Sequence, residues 1–239
     1  MNDIILPASG LALVLYAVAF ALLWRDLNTR LQESRNTVAA TQPTVSGVAF
    51  AAATVGLICQ LSATAGALVQ DEPVMRLNLS LLAVTSLVTC VIVGVTAVST
   101  LRVRADYLML LCLPLAALSL GALSLLPPGN TQPVALDSAQ IGHILLSISA
   151  YAALMTAALQ SALIALQERR LRAPQTGLIG LLPPMESMES LFITMLWLGV
   201  GLLTLSIGTG MFFLQDMFDQ RLVHHTVLTT LSWLVYTGF

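Results

Sequence analysis

The sequence predicts an all-α, polytopic bundle of about seven transmembrane helices, and three observations support this. Of the 239 residues, 57% are hydrophobic and only 9% are charged, whereas soluble domains carry roughly 25% charged residues. Short polar connections separate the apolar runs. Lipid offers the backbone no hydrogen-bond partner, so runs of roughly 20 apolar residues cross it as helices. The runs cover approximately 4–24, 46–69, 77–99, 107–126, 140–166, 190–214 and 222–239.

The whole chain, residues 1–239, is interpreted as a single transmembrane domain, because no connection is long enough to form a soluble domain. The first run is too long for the core of a cleaved signal peptide and follows an acidic head, Met1-Asn2-Asp3. The last run reaches Phe239 without a flanking Arg, Lys or Trp. We therefore expect the natural protein to continue, with one more helix.

The arginines predict the orientation of the chain, because cytoplasmic connections are enriched in basic residues. Eight of the ten lie in the odd-numbered connections and two in the even-numbered ones. The eight are Arg25, Arg30, Arg35, Arg102, Arg104, Arg169, Arg170 and Arg172, and the two are Arg76 and Arg221. This distribution predicts a multi-pass protein of a bacterial inner membrane with its N-terminus in the periplasm.

The three histidines are predicted to lie at one membrane face, the outer one. His143 lies just inside the start of the fifth run, and His224 and His225 begin the seventh. A neutral imidazole is a good iron ligand, and two of them on separate helices can hold a haem without a covalent link. His143 and His224 are the candidate metal ligands, and His225 is a further cofactor-binding candidate. The alternative is that each is an interfacial residue bonded to headgroups or loops.

A polar stripe follows His143 along the predicted fifth helix. Ser147 and Tyr151 succeed it at four-residue intervals, and Gln140 lies near the same line, so these side chains share one helix face. Polar faces of membrane helices normally point at protein. Ser147 and Tyr151 are therefore candidates for cofactor binding, and plain hydrogen bonding between helices is the alternative.

Several function classes are disfavoured. A net charge of −2 provides no basic field for nucleic acid. Cys59, Cys90 and Cys112 lie in apolar runs without a CxxC pair, so a packing role is expected. No metalloprotease, nucleotide-binding or nucleophile-elbow motif occurs, and the chain is predicted not to be an enzyme. No ionisable row crosses the predicted midplane, which disfavours an ion-coupled pump.

Several segments resemble the cytochrome c assembly proteins of the CcsA and CcmC type. They include a His separated by seven residues from Tyr-Ala-Ala-Leu, a Leu-Thr…Ser-Gly segment, and Leu-Ser-Trp-Leu-Val-Tyr. In the same order, these segments are residues 143–154, 203–210 and 231–236. Two further segments, 78–82 and 182–192, resemble the HemX/YpjD branch of that family most closely. The resemblance is strongest over residues 75–239.

The resemblance implies haem handling at the outer membrane face, with His143 at the position of an external axial ligand. The Trp-rich haem platform of the CcsA type has no counterpart, since residues 211–225 contain no Trp. From the resemblance as a whole, we expect a haem-binding or haem-delivery protein linked to cytochrome c assembly. Its partners would be haem b, held noncovalently, the lipid bilayer and other assembly proteins. The alternatives are a membrane scaffold without a ligand and a small-molecule permease, for which Pro114 is the one candidate helix break.

Overall fold

A computed structural model of the chain describes residues 2–36, 47–72, 74–101, 105–126, 134–171, 182–213 and 223–238. Helices dominate these residues, with three short strands between them. The elements in chain order are α1 (Asn2–Asn36), α2 (Gly47–Leu68), β1 (Val69–Glu72), β2 (Val74–Leu77), α3 (Leu81–Thr100), α4 (Asp106–Leu125), β3 (Val134–Ala135), α5 (Ser138–Leu171), α6 (Met185–Phe213) and α7 (Val223–Thr237).

The prediction of an all-α membrane bundle is confirmed. Helices α1 to α6 each contain a segment that is long and apolar enough to cross a membrane. The seventh helix has 15 residues and is about 22 Å long, shorter than the roughly 30 Å of a lipid core. Helix α4 continues through Pro114 without a break, so the helix break that a permease would need is not found there.

The helix ends differ from the predicted runs where polar residues cap or extend a helix. Helix α1 continues past residue 24 to Asn36, through polar sequence that an apolar run does not include. Helix α3 begins at Leu81 rather than near residue 77, because Ser80 caps it. The Ser80 hydroxyl accepts a hydrogen bond of 3.3 Å from the Ala83 amide, as N-cap residues do.

A small antiparallel sheet joins two connections at one end of the bundle. Strands β1 and β2 pair directly after α2, and β2 also pairs with β3, which precedes α5. The strands were not predicted, because segments of two to four residues leave no usable alternation of apolar and polar residues. The sheet places the second and fourth connections at the same end, as the predicted alternation of helix direction requires.

The first four helices pack around one apolar core, and the α5–α6 pair lies beside them. Buried residues of α1, α2, α3 and α4 form this core together with Ala152 of α5. Helices α5 and α6 run antiparallel along a long contact, and α7 packs on α6. A buried hydrogen bond of 3.0 Å between the Tyr107 hydroxyl and the Gln160 amide oxygen links α4 to α5.

A buried amide connects the first four helices. Gln60 of α2 has no exposed surface, and its amide oxygen accepts a 2.6 Å hydrogen bond from the Tyr16 hydroxyl of α1. Its amide nitrogen lies 3.2 Å from the Thr89 hydroxyl of α3. That hydroxyl lies 2.6 Å from the Ser119 hydroxyl of α4. Because lipid offers no partner to such groups, this network specifies which helix faces meet.

The close approach of α5 and α6 depends on Gly199. A Cβ atom there would lie 2.7 Å from the Leu154 Cδ2 atom and 3.2 Å from the Leu154 backbone nitrogen. We expect Gly199→Ala to lower the free energy of unfolding by about 1–3 kcal/mol, since an overpacked core must shift side chains or backbone. Unfolding in mixed detergent micelles measures this.

Gly201→Ala on the same helix is the matched control, because a Cβ atom at Gly201 meets nothing within 4 Å. This substitution should leave the free energy of unfolding unchanged or raise it slightly. Equal effects of the two substitutions would contradict the close packing at Gly199.

Candidate functional site

The candidate site begins at the first turn of α5, which is capped by two side chains. The Asp137 carboxylate accepts a 2.7 Å hydrogen bond from the Ser138 amide, and the Gln140 side-chain oxygen accepts one of 3.0 Å from the Asp137 amide. The contact of Gln140 with the Asp137 amide is one half of a capping box. Gln140 thus helps to start the helix and does not extend the polar stripe towards α6.

His143 follows the cap and faces α6. Its side chain is half-buried, and its Nδ1 atom lies 3.1 Å from the Thr209 hydroxyl of α6. The Thr209 hydroxyl also donates to the Ser206 carbonyl at 2.9 Å. Among the described residues, the Nε2 atom of His143 has no hydrogen-bond partner. Within the described part of the chain, the imidazole is therefore held at one nitrogen only.

One turn further along α5, Ser147 makes a second contact with α6. Its hydroxyl donates to the His143 carbonyl at 2.8 Å and lies 2.6 Å from the Ser206 hydroxyl. Ser206 is 4% exposed, so this contact lies in the helix interface. The predicted stripe therefore does face protein at His143 and Ser147. We call these four residues, His143, Ser147, Ser206 and Thr209, the α5–α6 ladder.

Tyr151, the third residue of the stripe, contacts a different helix. Its hydroxyl lies 3.0 Å from the Thr229 hydroxyl of α7, and 44% of the side chain is exposed. The Trp233 indole nitrogen of α7 donates to the Thr204 hydroxyl of α6 at 2.8 Å. These two contacts attach α7 to the α5–α6 pair.

The backbone of α7 places His224 and His225 in the first turn of that helix, and their side chains lie outside the described part of the structure. Helix α7 runs antiparallel to α6. The contact between Trp233 and Thr204 sets the level at which the two helices meet. From that level, His224 lies nine residues back along α7, or about 14 Å, and Thr209 lies five residues forward along α6, or about 8 Å. The start of α7 therefore lies at the same end of the bundle as His143, as the sequence predicted.

Among the described residues, His143 is a single candidate ligand and does not belong to a metal-binding cluster. No group of three or more His, Cys, Asp or Glu residues is close enough to hold an ion in the part of the chain that the structure describes. Axial haem ligation needs only one or two nitrogen atoms. An imidazole whose second nitrogen is hydrogen-bonded, as Nδ1 is to Thr209, is the usual form of a metal-bound His.

A separate cleft of about 750 Å³ lies between the other halves of α5, α6 and α7. Its lining is largely apolar and aromatic and includes Phe192, Trp197 and Tyr236, together with Leu154 of α5. His143 precedes Leu154 by eleven residues, which is about 16 Å along the helix. The cleft and the ladder are therefore distinct features. Sequence reasoning missed the cleft, because scattered aromatic residues on apolar helices carry no periodic signal.

The Ser147–Ser206 contact has a measurable coupling energy. A double-mutant cycle with Ser147→Ala and Ser206→Ala should give a coupling of about 0.6 kcal/mol and at most about 1.7 kcal/mol, as polar pairs between membrane helices do. The control pair is Ser149→Ala and Thr194→Ala, whose hydroxyls donate within their own helices. A coupling no larger than in the control pair would show that the contact does not form in the membrane.

Comparison with known proteins assigns the chain to a family. Inner membrane protein YpjD of Escherichia coli strain K12 is 28% identical over 226 residues, which cover 95% of this chain and 81% of the relative. The YpjD proteins of E. coli O6:H1 and O157:H7 match to the same extent. No solved structure matches the chain. Residues 11–239 match the family described as "Cytochrome C assembly protein", and the chain therefore belongs to the cytochrome c assembly protein family.

Proposed function

We propose that this protein binds haem noncovalently through His143 and takes part in haem handling during cytochrome c assembly. The observation that supports this is the arrangement of the His143 ring. Thr209 holds its Nδ1 atom at 3.1 Å, while Nε2 has no partner among the described residues. Membership of the cytochrome c assembly family supports the same function. On this account the protein binds and orients haem and catalyses no reaction of its own.

Each residue of the site has a defined task in this proposal. His143 would hold the haem iron, and His224 or His225 at the start of α7 would be the second residue to hold it. Ser147 and Ser206 keep α5 and α6 aligned, and the contact between Tyr151 and Thr229 keeps α7 beside them. Bound haem would supply the iron centre, and the protein would supply orientation and access.

The proposed location is a bacterial inner membrane, with the ladder at the periplasmic face. The E. coli relatives are named inner membrane proteins, and within the described residues six helices are long and apolar enough to span a membrane. The excess of arginine in the odd-numbered connections supports a periplasmic N-terminus. Other membrane proteins of cytochrome assembly are the proposed partners.

A scaffold role without a ligand is the second candidate. Its support is the ladder itself, since every hydroxyl in it already has a partner on its own or the neighbouring helix. Such pairing is what helix packing alone requires. In the haem proposal the Nε2 atom of His143 binds iron, whereas in the scaffold role it binds no ligand.

Absorption spectroscopy separates the two candidates. The purified protein, reconstituted with haem in detergent, should show a Soret band that His143→Ala weakens or abolishes, because an axial nitrogen is lost. Replacing His224 and His225 by Ala one at a time should identify the second ligand by a further change in the band.

Thr194→Val is the matched control, because Thr194 is exposed and donates only to the Ser190 carbonyl of its own helix. It should leave the Soret band as it is in the unaltered protein. If no preparation gives a Soret band after reconstitution, or if His143→Ala retains the whole of it, the haem proposal fails and the scaffold role is favoured.

The orientation is testable with single cysteines at the exposed helix ends Leu126 and Leu101, in a background with Cys59, Cys90 and Cys112 replaced by Ala. A membrane-impermeant maleimide applied to intact spheroplasts should label Leu126→Cys and spare Leu101→Cys until the membrane is opened. The cysteine-free background controls for other labelling. The reverse pattern would place the N-terminus in the cytoplasm and the ladder at the inner face.

A further inference from the structure

The α5–α6 ladder contains four polar contacts but only three hydroxyl protons. Ser147 lies against the His143 carbonyl at 2.8 Å and against Ser206 at 2.6 Å. Thr209 lies against the Ser206 carbonyl at 2.9 Å and against the His143 Nδ1 atom at 3.1 Å. Each hydroxyl group carries one donor hydrogen, so Ser147, Ser206 and Thr209 can provide the hydrogen for three of the four contacts.

The assignment of those three protons leaves one solution in which all four contacts are hydrogen bonds. The two carbonyl oxygens only accept, so Ser147 donates to the His143 carbonyl and Thr209 donates to the Ser206 carbonyl. Ser206 then donates to Ser147, whose own proton is already committed. The remaining contact, between Thr209 and the imidazole, needs a hydrogen from the ring.

We propose that Thr209 fixes His143 as the neutral tautomer with its hydrogen on Nδ1, so that Nε2 carries the free electron pair. Thr209 is thus a positioning residue, since it acts on the iron through His143. The role in ligation rests on the proposed haem function, but the tautomer itself does not. A neutral imidazole binds a metal only through a nitrogen without hydrogen, so the ladder selects which nitrogen faces a ligand.

The ladder also explains why a hydroxyl rather than an apolar side chain is needed at residue 209. Valine has the shape of threonine but cannot accept a hydrogen bond, so Thr209→Val would leave the Nδ1 hydrogen without a partner in the helix interface. The tautomer with hydrogen on Nε2 would then gain population, because that nitrogen faces away from the Thr209 contact. Serine keeps the acceptor, so Thr209→Ser should restore the original tautomer.

Nitrogen NMR of the haem-free protein tests this directly. The full chain carries His224→Gln and His225→Gln, so that His143 is its only histidine. It is labelled with ¹⁵N-histidine and measured in lipid bilayers at about pH 8.5. We expect a protonated Nδ1 signal and an unprotonated Nε2 signal. Thr209→Val should shift the ring towards protonated Nε2, Thr209→Ser should not, and Thr194→Val should change nothing.

A second arm measures haem affinity with the native histidines at 224 and 225. Thr209→Val should weaken binding about 10- to 100-fold, as loss of a partner behind a metal-bound His does, and Thr209→Ser should recover most of it. A protonated Nε2 in the unaltered protein, or an Nδ1 signal that survives Thr209→Val unchanged, would overturn the inference. Absence of haem binding in every variant would defeat the proposed function alone, because the tautomer is read without haem.

Discussion

A polar side chain inside a lipid bilayer has no water to bind, so it must find its partner on its own or a neighbouring helix. This constraint accounts for the main contacts of the structure. Gln60 joins α1 to α3, Gln160 joins α5 to α4, and the ladder joins α5 to α6. Apolar burial does not drive helices together in lipid, since lipid tails are as apolar as leucine, so close packing as at Gly199 and polar contacts select the faces that meet. The few buried polar groups therefore carry much of the specificity of this bundle.

The same constraint explains how much of the fold the sequence could predict. The membrane helices could be predicted because each needs a long apolar run. The even-numbered connections could be placed at one end of the bundle because successive helices alternate in direction. The stripe of His143 and Ser147 was predicted to face protein because a polar face in lipid must do so. Its partners, Thr209 and Ser206, were not predicted, because a run of small and hydroxylated residues in α6 does not indicate which of them points at α5.

Three other features were not predicted from the sequence. Tyr151 belongs to the stripe by spacing, but its hydroxyl contacts Thr229 of α7. Gln140 lies near the stripe but is needed for the helix cap. The three-stranded sheet is built from strands too short to show a period. Contacts distant in sequence decide the position of Tyr151 and the pairing of β2 with β3, whereas Gln140 caps through a residue only three positions away.

The central claim is that the His143 ring meets Thr209 across the α5–α6 interface, since both the proposed ligand role and the tautomer follow from that contact. Solid-state NMR in lipid bilayers tests it through dipolar dephasing between ¹⁵N on the His143 ring and ¹³C at Cβ of Thr209. The account predicts strong dephasing of the Nδ1 signal and weaker dephasing of Nε2. If Nδ1 shows no dephasing, or if Nε2 is the more strongly dephased nitrogen, the ring is turned away from its position here and the account is contradicted.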